Sequence, residues 1–255
     1  MGGGQGGAVR VIIERDLHGR VALVTGGARR LGRELVLALA AAGADVVIHY
    51  RFSGHEAVDL ADRVRQQGRE VWLASADLGS DSGVTELLRA LHAGPGRLDI
   101  LVNNVGNYPL GPLTDADAAQ FRSLLETNLI APDSLIRGSL SLFPERGGHV
   151  INLGYAGLES SRVQANAVHY QVTKTGLLLL TRAWAAELAH RGIRVNMISP
   201  GQLENSVDLP ADPARAIPLG RPGRLGEVAE VLLFLLGEDS YLTGINIDVA
   251  GGWRV

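Results

Sequence analysis

The stretch Val21-Ala-Leu-Val-Thr-Gly-Gly-Ala-Arg-Arg-Leu-Gly32 joins a short apolar run to a glycine-rich turn and the start of an Ala/Leu-rich segment. Residues 21–24 are typical of a strand buried on both faces, and apolar residues recur at helical spacing through residues 31–42. Such a turn suits a pyrophosphate, because the glycines allow close backbone approach and the helix N-terminus offers free N–H groups. We therefore expect a dinucleotide cofactor at Gly26, Arg29, Arg30, Leu31 and Gly32.

The same alternation of short apolar runs and helical segments continues to the end of the chain. Short β-branched runs that are buried on both faces indicate parallel strands, and right-handed crossovers place helices on both faces of their sheet. The pattern predicts an α/β fold: one doubly wound (Rossmann) domain over residues 17–255, with a parallel sheet of about seven strands. The strand candidates are residues 21–24, 45–48, 71–74, 100–103, 149–153, 194–198 and 245–249.

Composition excludes several classes of protein. The chain has 255 residues, 46% of them hydrophobic, a formal net charge of −3 and no cysteine. We expect no nucleic-acid partner, because a basic face is absent, and no metal site or disulfide built on thiolates. No apolar run reaches the roughly 18 residues of a membrane span. Residues 1–16 are predicted to be a flexible glycine-rich tail without signal-peptide features, and a cytoplasmic protein is expected.

The end of the second strand indicates which dinucleotide binds. An NAD site usually has a carboxylate there for the ribose 2′-hydroxyl, whereas this strand continues into His49-Tyr-Arg-Phe-Ser53. Cationic and hydroxyl groups of Tyr50, Arg51 and Ser53, with Arg29 and Arg30, favour the 2′-phosphate of NADP(H). Asp77 follows the third strand, where it either meets the adenine amino group or caps a turn.

Tyr170 and Lys174 are the predicted catalytic pair. They stand four residues apart in a helix-forming stretch and so share a face, and Lys174 is the one lysine beside 23 arginines. An ammonium beside a phenol is expected to lower the phenol pKa toward the working range. Tyr170 would then give a proton to a carbonyl oxygen as a hydride reaches its carbon, and Lys174 would hold the nicotinamide ribose.

Over about residues 18–255 the sequence resembles the short-chain dehydrogenases/reductases. The resemblance rests on Thr25-Gly26 to Gly32, Asn103-Asn-Val-Gly106, the Tyr170/Lys174 pair and Pro200-Gly201. It implies an NADP(H)-dependent oxidoreductase acting on a small molecule, and a homotetramer packed through residues 121–142 and 170–190. It also implies that Asn128 holds a water of the proton relay. By itself Asn128 would be read as a helix-kink or buried polar residue. Further implied cofactor contacts are Leu78, Asn104, Gly106, Pro200, Gly201, Leu203 and Asn205, with Ser206 as the alternative to Asn205.

Departures from the family pattern bear on substrate and mechanism. Arg30 replaces the usual central glycine, as in pteridine reductases, and residues 49–53 are similar to that branch as well. Tyr108 falls where those enzymes stack an aromatic ring on the substrate, and it is equally readable as a packing residue. Tyr155 stands in place of the usual catalytic serine. Ser160 or Ser161 would have to fold back from an inserted loop to supply a hydroxyl instead.

Three hypotheses follow for the function. The first is an NADPH-dependent carbonyl reductase that resembles 3-oxoacyl carrier-protein reductases, with residues 203–218 as a substrate lid. The second is a pteridine reductase, suggested by Arg30, residues 49–53 and Tyr108. The third is an NADP-binding sensor or scaffold with weakened catalysis, suggested by the missing serine.

Overall fold

A computed structural model describes residues 15–160 and 162–254 and contains one seven-stranded parallel sheet. The strand order is β3-β2-β1-β4-β5-β6-β7, which confirms the predicted doubly wound fold. The strands are β1 Val21–Val24, β2 Asp45–Tyr50, β3 Val71–Ser75, β4 Ile100–Asn103, β5 Gly148–Leu153, β6 Ile193–Pro200 and β7 Asn246–Val249.

Helices cover both faces of the sheet. The buried apolar residues of α1, α2 and α8 pack on one face, and those of α3, α5 and α6 on the other. The helices are α1 Arg30–Ala41, α2 Gly54–Gln66, α3 Asp81–Ala93, α4 Ala118–Leu125, α5 Ala131–Ser139, α6 Val168–Leu188, α7 Pro213–Ala216 and α8 Leu225–Leu235.

Strand β1 shows why a strand covered on both faces contains only apolar residues. Ala22 and Val24 point into the core under α1, α2 and α8, whereas Val21 and Leu23 point into the opposite core. Successive side chains in a strand alternate between the faces of a sheet, so covering both faces requires apolar residues at every position. The sheet thus has two cores, and β1 contributes to both.

The order of the sheet places the candidate site. Strand β1 pairs with β2 on one side and with β4 on the other. The chain passes from β1 to β2 and β3 on the first side and then returns to β4 on the second, so the direction reverses between β1 and β4. Ligands of doubly wound sheets bind at the carboxyl ends of the strands beside such a reversal. The loops after β1, β4, β5 and β6 all open at this edge.

Several predicted strand boundaries shift by one or two residues, and the largest extensions are at the ends of β2 and β6. Strand β2 continues to Tyr50 and β6 to Pro200, because neighbouring strands pair with them over that length. Most of the predicted tail, residues 1–14, and the terminal residue 255 lie outside the described residues. The sequence assigns Arg15 to the tail, but its guanidinium donates to the carbonyls of Leu233 and Phe234.

The apolar residues of α6 lie partly in the core and partly on the surface. The sequence pattern of Leu177 to Leu180 and Trp184 suits either a subunit interface or the core, and the structure buries Leu177, Leu178 and Trp184 in the protein's own core. Leu179 is 62% exposed. Within residues 15–160 and 162–254, no helix has both the length and the apolarity that crossing a membrane requires.

Candidate active site

The turn between β1 and α1 has the shape of a phosphate cradle. Gly26 has a φ of +62°, a left-handed conformation that glycine adopts without strain. A Cβ on Gly32 would lie 2.2 Å from the Gly26 carbonyl oxygen, so only glycine fits there. Helix α1 begins at Arg30 without a side-chain cap and without an acidic residue in its first turn. Its free N–H groups and positive dipole end suit a pyrophosphate.

The side chains of His49 and Asn104 hold this turn through hydrogen bonds to its backbone. The Gly26 N–H donates to His49 Nδ1 at 3.0 Å, and His49 Nε2 lies 3.1 Å from the Ala76 carbonyl oxygen. These partners assign the neutral tautomer with its proton on Nε2. The Asn104 amide donates to the Thr25 and Gly26 carbonyls at 2.9 and 3.3 Å. Asn104 therefore supports the cradle through its backbone carbonyls.

Acid should weaken the fold through His49. Burial lowers its pKa from 6.5 to about 4, so below pH 6.5 the unfolded chain binds a proton that the folded chain does not. The stability contributed by the neutral ring is complete above pH 6.5 and declines toward pH 4, by about 1.4 kcal/mol per pH unit. His149, whose pKa burial lowers to about 3, adds a second such proton.

Urea unfolding at about pH 7, 6 and 5 measures this dependence. His49→Asn should reduce the slope of unfolding free energy against pH from about two protons to one. His55→Asn, which changes an exposed histidine of α2, should leave the slope as in the wild type. An unchanged slope in His49→Asn would show that His49 does not titrate in this range.

The groups expected at a 2′-phosphate have partners within the protein. Arg51 forms an ion pair with Asp77 Oδ2 at 2.8 Å, and Asp77 Oδ1 accepts the Gly79 N–H at 3.0 Å. Asp77 thus caps the following turn through Oδ1 and pairs with Arg51 through Oδ2. Arg29 lies 3.5 Å from Glu56. Ser53 precedes α2 without capping it, which leaves its hydroxyl available.

Arg30 connects the cradle to the lid segment. Its φ is +52°, a left-handed conformation that costs a non-glycine residue of order 1 kcal/mol. Its guanidinium donates to the Asn205 carbonyl and lines the cavity described below. Asn205 therefore meets Arg30 through its backbone. The contact bridges the α1 turn and the segment after β6.

Tyr170 and Lys174 lie on one face of α6, at the carboxyl edge of the sheet. Lys174 is 3% exposed, and its Nζ lies 5.9 Å from the centroid of the Tyr170 ring. Nζ donates to the Leu153 carbonyl at 2.7 Å, which among the described residues is its one hydrogen bond. An ammonium has three N–H donors, so two remain for a bound molecule. Burial lowers the pKa of Lys174 to about 8.

The expected lowering of the Tyr170 pKa is wrong for this structure. Burial raises the pKa of Tyr170 well above its usual value, and the nearby Tyr108, Tyr155 and Asp208 raise it further. The Lys174 ammonium points to Leu153 rather than to the phenol, so it does not offset that cost. Tyr170 is accordingly a neutral phenol near pH 7, which is the form that donates a proton.

Three tyrosines cluster around the reacting position. The Tyr108 ring meets the Tyr170 ring edge to face with centroids 4.6 Å apart, and the Tyr155 centroid lies 5.5 Å from that of Tyr170. The Tyr108 hydroxyl donates to Asp208 Oδ2 at 2.9 Å. Burial and this hydrogen bond raise the pKa of Tyr108 to about 12. Tyr108 therefore has both packing and polar contacts at the cavity.

Tyr155 is held rigidly after β5. The Gly154 N–H donates to the Ile198 carbonyl at 2.8 Å, and the Ala156 N–H donates to the Pro200 carbonyl at 2.9 Å. The Tyr155 hydroxyl is buried, and the described residues offer it no hydrogen-bond partner. Unpaired buried hydroxyls are costly, so this one is suited to a bound ligand.

The alternatives to Tyr155 receive no support. The Ser160 hydroxyl donates to the Gly157 carbonyl at 2.8 Å and is exposed, so it does not fold back toward Tyr170. Ser161 lies outside the described residues.

Asn128 positions the loop after β4. It is fully buried in a single π-helical turn, Glu126–Ile130, between α4 and α5. Its Oδ1 accepts the Asn107 N–H at 2.9 Å, and its Nδ2 donates to the Asn107 carbonyl at 3.0 Å. The side chain therefore fixes the backbone beside Gly106, where an added Cβ would lie 3.3 Å from Lys174 Nζ. A π-turn is typical of functional sites.

Some residues expected at the cofactor are engaged within the protein. The side chains of Leu78 and Leu203 are buried in the core. The Leu203 N–H is already bound by the Ser206 hydroxyl at 2.9 Å. Ser206 rather than Asn205 lines the cavity. Gly201 does border it, where an added Cβ would lie 2.8 Å from Ala250 Cα.

Comparison with known proteins decides the family. A family model described as enoyl-(acyl carrier protein) reductase matches residues 26–254. The L-fucose dehydrogenase of Oryctolagus cuniculus is 34% identical over 248 residues, covering 92% of this chain and 84% of the relative. The chain belongs to the short-chain dehydrogenase/reductase family. A 3-oxoacyl-[acyl-carrier-protein] reductase of Staphylococcus epidermidis is 32% identical over 240 residues, covering 91% and 97% of the two chains.

Solved structures of similar proteins contain nicotinamide cofactors. The blue fluorescent protein from a metagenomic library, in complex with NADPH, superimposes with a TM-score of 0.88 at 30% identity, covering 94% of this chain and all of that one. The landomycin C-6 ketoreductase with bound NADP and rabelomycin has a TM-score of 0.85 at 30% identity, covering 94% and 98%. This short-chain dehydrogenase/reductase is therefore an oxidoreductase, and its glycine cradle fits a nicotinamide dinucleotide.

The oxidoreductase contains site residues that sequence reasoning missed. A cavity of about 380 Å³ adjoins Tyr170, and residues from the lid and the C-terminus complete it. The buried Oε1 of Gln202 has no partner among the described residues. Because Gln202 directly follows Pro200-Gly201, the sequence could have indicated it as a site residue. The C-terminal residues have no such indication in the sequence, because only folding brings them to the cavity. The missed residues are Gln164, Gln202, Val207, Asp208, Trp253 and Arg254.

Proposed function

We propose that this protein is an NADP(H)-dependent oxidoreductase that reduces a ketone to a secondary alcohol. The observation that carries the proposal is the half-buried, neutral Tyr170 phenol beside Lys174, at the strand edge where the glycine cradle also opens. A nicotinamide cofactor, when bound, supplies the hydride. Gly26, Gly32, Gly106 and Gly201 leave the backbone open to it, and Lys174 has two N–H donors for its ribose.

The residues of the chain handle the proton. Tyr170 donates its phenolic proton to the substrate oxygen, while the Lys174 ammonium, which is bonded to the Leu153 carbonyl, holds the cofactor ribose. Tyr155, whose hydroxyl has no partner in the described protein, donates a second hydrogen bond to that oxygen in place of the usual serine. Such a donor stabilises the negative charge that develops on oxygen, typically by about 3 kcal/mol.

NADP(H) is proposed as the preferred cofactor because no carboxylate ends β2. Arg51 and Ser53 stand there instead, with Arg29 and Arg30 across the turn. Arg51 is half exposed and forms an ion pair with Asp77. If Arg51 bound the 2′-phosphate instead, one charge-assisted hydrogen bond would replace another. Structures of similar proteins with NADP or NADPH support this preference.

Arg51→Ala should raise the Kd for NADPH about 10- to 100-fold and leave the Kd for NADH within about threefold, because only NADPH has the 2′-phosphate. Fluorescence titration of both cofactors measures this. Arg63→Ala, on the exposed side of α2 beside Asp59, serves as the matched control and should change neither Kd. If the Kd values for NADPH and NADH rise together in Arg51→Ala, Arg51 supports the structure of the cofactor site and does not bind the 2′-phosphate.

Relatives suggest the substrates to assay. Their names include an L-fucose dehydrogenase, a 3-oxoacyl-[acyl-carrier-protein] reductase and a C-6 ketoreductase. NADPH oxidation should therefore be followed with 3-oxoacyl thioesters and small ketones, and NADP⁺ reduction with L-fucose. Turnover of a ketone or of the corresponding alcohol supports the proposal. Absence of turnover across this panel, with NADPH still bound, would favour the sensor hypothesis.

Dihydropterins belong in the same assay. Tyr108 lies edge to face with Tyr170 and lines the cavity, which is compatible with a flat substrate beside it. Reduction of dihydropterins together with no activity on any ketone would favour the pteridine reductase hypothesis over the ketone reductase.

A homotetramer is proposed as the assembly. Exposed apolar side chains of α6 and of the preceding π-turn support it, since Ile130, Val172 and Leu179 together offer an apolar surface. Sedimentation velocity measures the mass directly, and a stable monomer would exclude the tetramer.

A further inference from the structure

A second cavity of about 880 Å³ adjoins the catalytic one. The two share a wall that includes Tyr108, Tyr155 and Asp208. Arg30, Gly106, Pro200 and Gly201 border the catalytic cavity and do not line the second. The second cavity therefore lies on the side away from the proposed cofactor groove. A substrate whose carbonyl contacts Tyr170 would extend its remaining atoms into this space.

The C-terminal segment places Arg254 in the shared wall. Arg254 has a φ of +60°, in the left-handed region that a side chain rarely occupies. It packs against Gly157, where an added Cβ would lie 3.0 Å from the Arg254 carbonyl oxygen. Its Cζ lies 5.4 Å from the centroid of the Trp253 ring. Backbone strain of this kind persists at functional sites, where the surrounding structure holds it in place.

The charges in the second cavity are not balanced. Arg162 and Arg254 both line it, and neither forms an ion pair with a carboxylate of residues 15–160 or 162–254. By contrast, Arg182 is paired with Glu159 just outside it. The one acidic residue in the lining is Asp208, and its Oδ2 accepts the Tyr108 hydroxyl. The cavity therefore presents two guanidinium groups and one carboxylate that already has a partner.

We propose that the second cavity binds an oxyanion group of the substrate, a carboxylate or a phosphate, between Arg162 and Arg254. The reacting carbonyl of the same molecule then lies beside Tyr170. Guanidinium groups match carboxylates and phosphates through paired N–H donors, and of the two arginines Arg254 is partly buried whereas Arg162 is exposed. This inference rests on the proposed reduction and narrows its substrate class to keto acids or keto phosphates.

The test is binding, which does not depend on turnover. Calorimetric titration of the NADP⁺-loaded protein would compare 4-oxopentanoate with its methyl ester, and dihydroxyacetone phosphate with dihydroxyacetone. The anionic member of at least one pair should bind about 10- to 100-fold more tightly, as expected for charge-assisted hydrogen bonds. The pair that shows the preference distinguishes a carboxylate from a phosphate.

Arg254→Ala and Arg162→Ala should each reduce this preference about tenfold or more. Arg89→Ala, an exposed arginine of α3 that lines neither cavity, should keep it. Equal binding of both members of each pair in the wild type, or an unchanged preference in Arg254→Ala, would overturn the oxyanion site. Anion-selective binding without reduction of any ketone would instead contradict the proposed function and leave the binding site in place.

Discussion

Tyr170→Phe is expected to lower kcat for ketone reduction about 10³-fold, with the fold and NADPH binding retained. The substitution removes the phenolic proton that the substrate oxygen receives, and general acid catalysis typically contributes about 10²- to 10⁴-fold. Among the described residues, the Tyr170 hydroxyl makes no hydrogen bond, and the ring contacts with Tyr108 and Tyr155 persist in phenylalanine. Single-turnover kinetics with NADPH would measure the chemical step directly.

Two other tyrosines serve as comparisons. Tyr241→Phe changes a fully exposed residue and should leave kcat as in the wild type. Tyr155→Phe should lower kcat about 10²-fold, less than Tyr170→Phe, because it removes a hydrogen-bond donor and not the transferred proton. Equal turnover in Tyr170→Phe and the wild type would remove Tyr170 from the mechanism. A Tyr155→Phe variant with normal kcat would leave the oxyanion donor unassigned.

Lys174→Arg is expected to fold and yet lose about 10²-fold in kcat/KM. A guanidinium is larger than an ammonium, and the space around Nζ is limited. Nζ donates to the Leu153 carbonyl at 2.7 Å and would lie 3.3 Å from a Cβ added to Gly106. Overpacking a buried site typically costs about 1–3 kcal/mol, because neighbouring side chains and backbone have to shift. We expect this shift to displace Tyr170 and so to lower the activity. Circular dichroism and NADPH titration would separate this loss from unfolding.

The pH profile provides the control for Lys174. Burial lowers the pKa of Lys174 to about 8, so its positive charge, and with it the activity, should decline above that pH in the wild type. Arginine does not titrate in this range, so Lys174→Arg should lack that alkaline decline. If the variant keeps near-normal turnover, the one lysine of the chain is an accident of composition rather than a functional choice.

The fold followed from the sequence because its signal is local. Buried runs such as Val21–Val24 and Ile100–Asn103 have the same bounds in the structure as in the sequence pattern. The glycine turn was equally readable, since Gly26 needs a left-handed φ and Gly32 has no room for a Cβ. Strand ends were less certain, because pairing with neighbours extends β2 and β6 beyond their apolar runs.

The prediction of a lowered Tyr170 pKa failed because it depended on distance and burial. The sequence places Lys174 near Tyr170, but its ammonium turns to Leu153, and burial raises the pKa of the phenol. The ion pair between Arg51 and Asp77 at 2.8 Å was likewise not foreseen from the sequence. Spacing along a helix brings two residues to one face without fixing which atoms meet.

The sequence by itself determined a doubly wound sheet, a glycine turn for a dinucleotide and a tyrosine and lysine on one helix face. Each of these is encoded within a few consecutive residues, through periodicity or backbone freedom. Only the tertiary structure brought Trp253 and Arg254 to the cavity, gave Tyr155 an unpaired hydroxyl there and joined a second cavity to the first. Those features depend on contacts between residues about a hundred positions apart, for which a single sequence has no local signature.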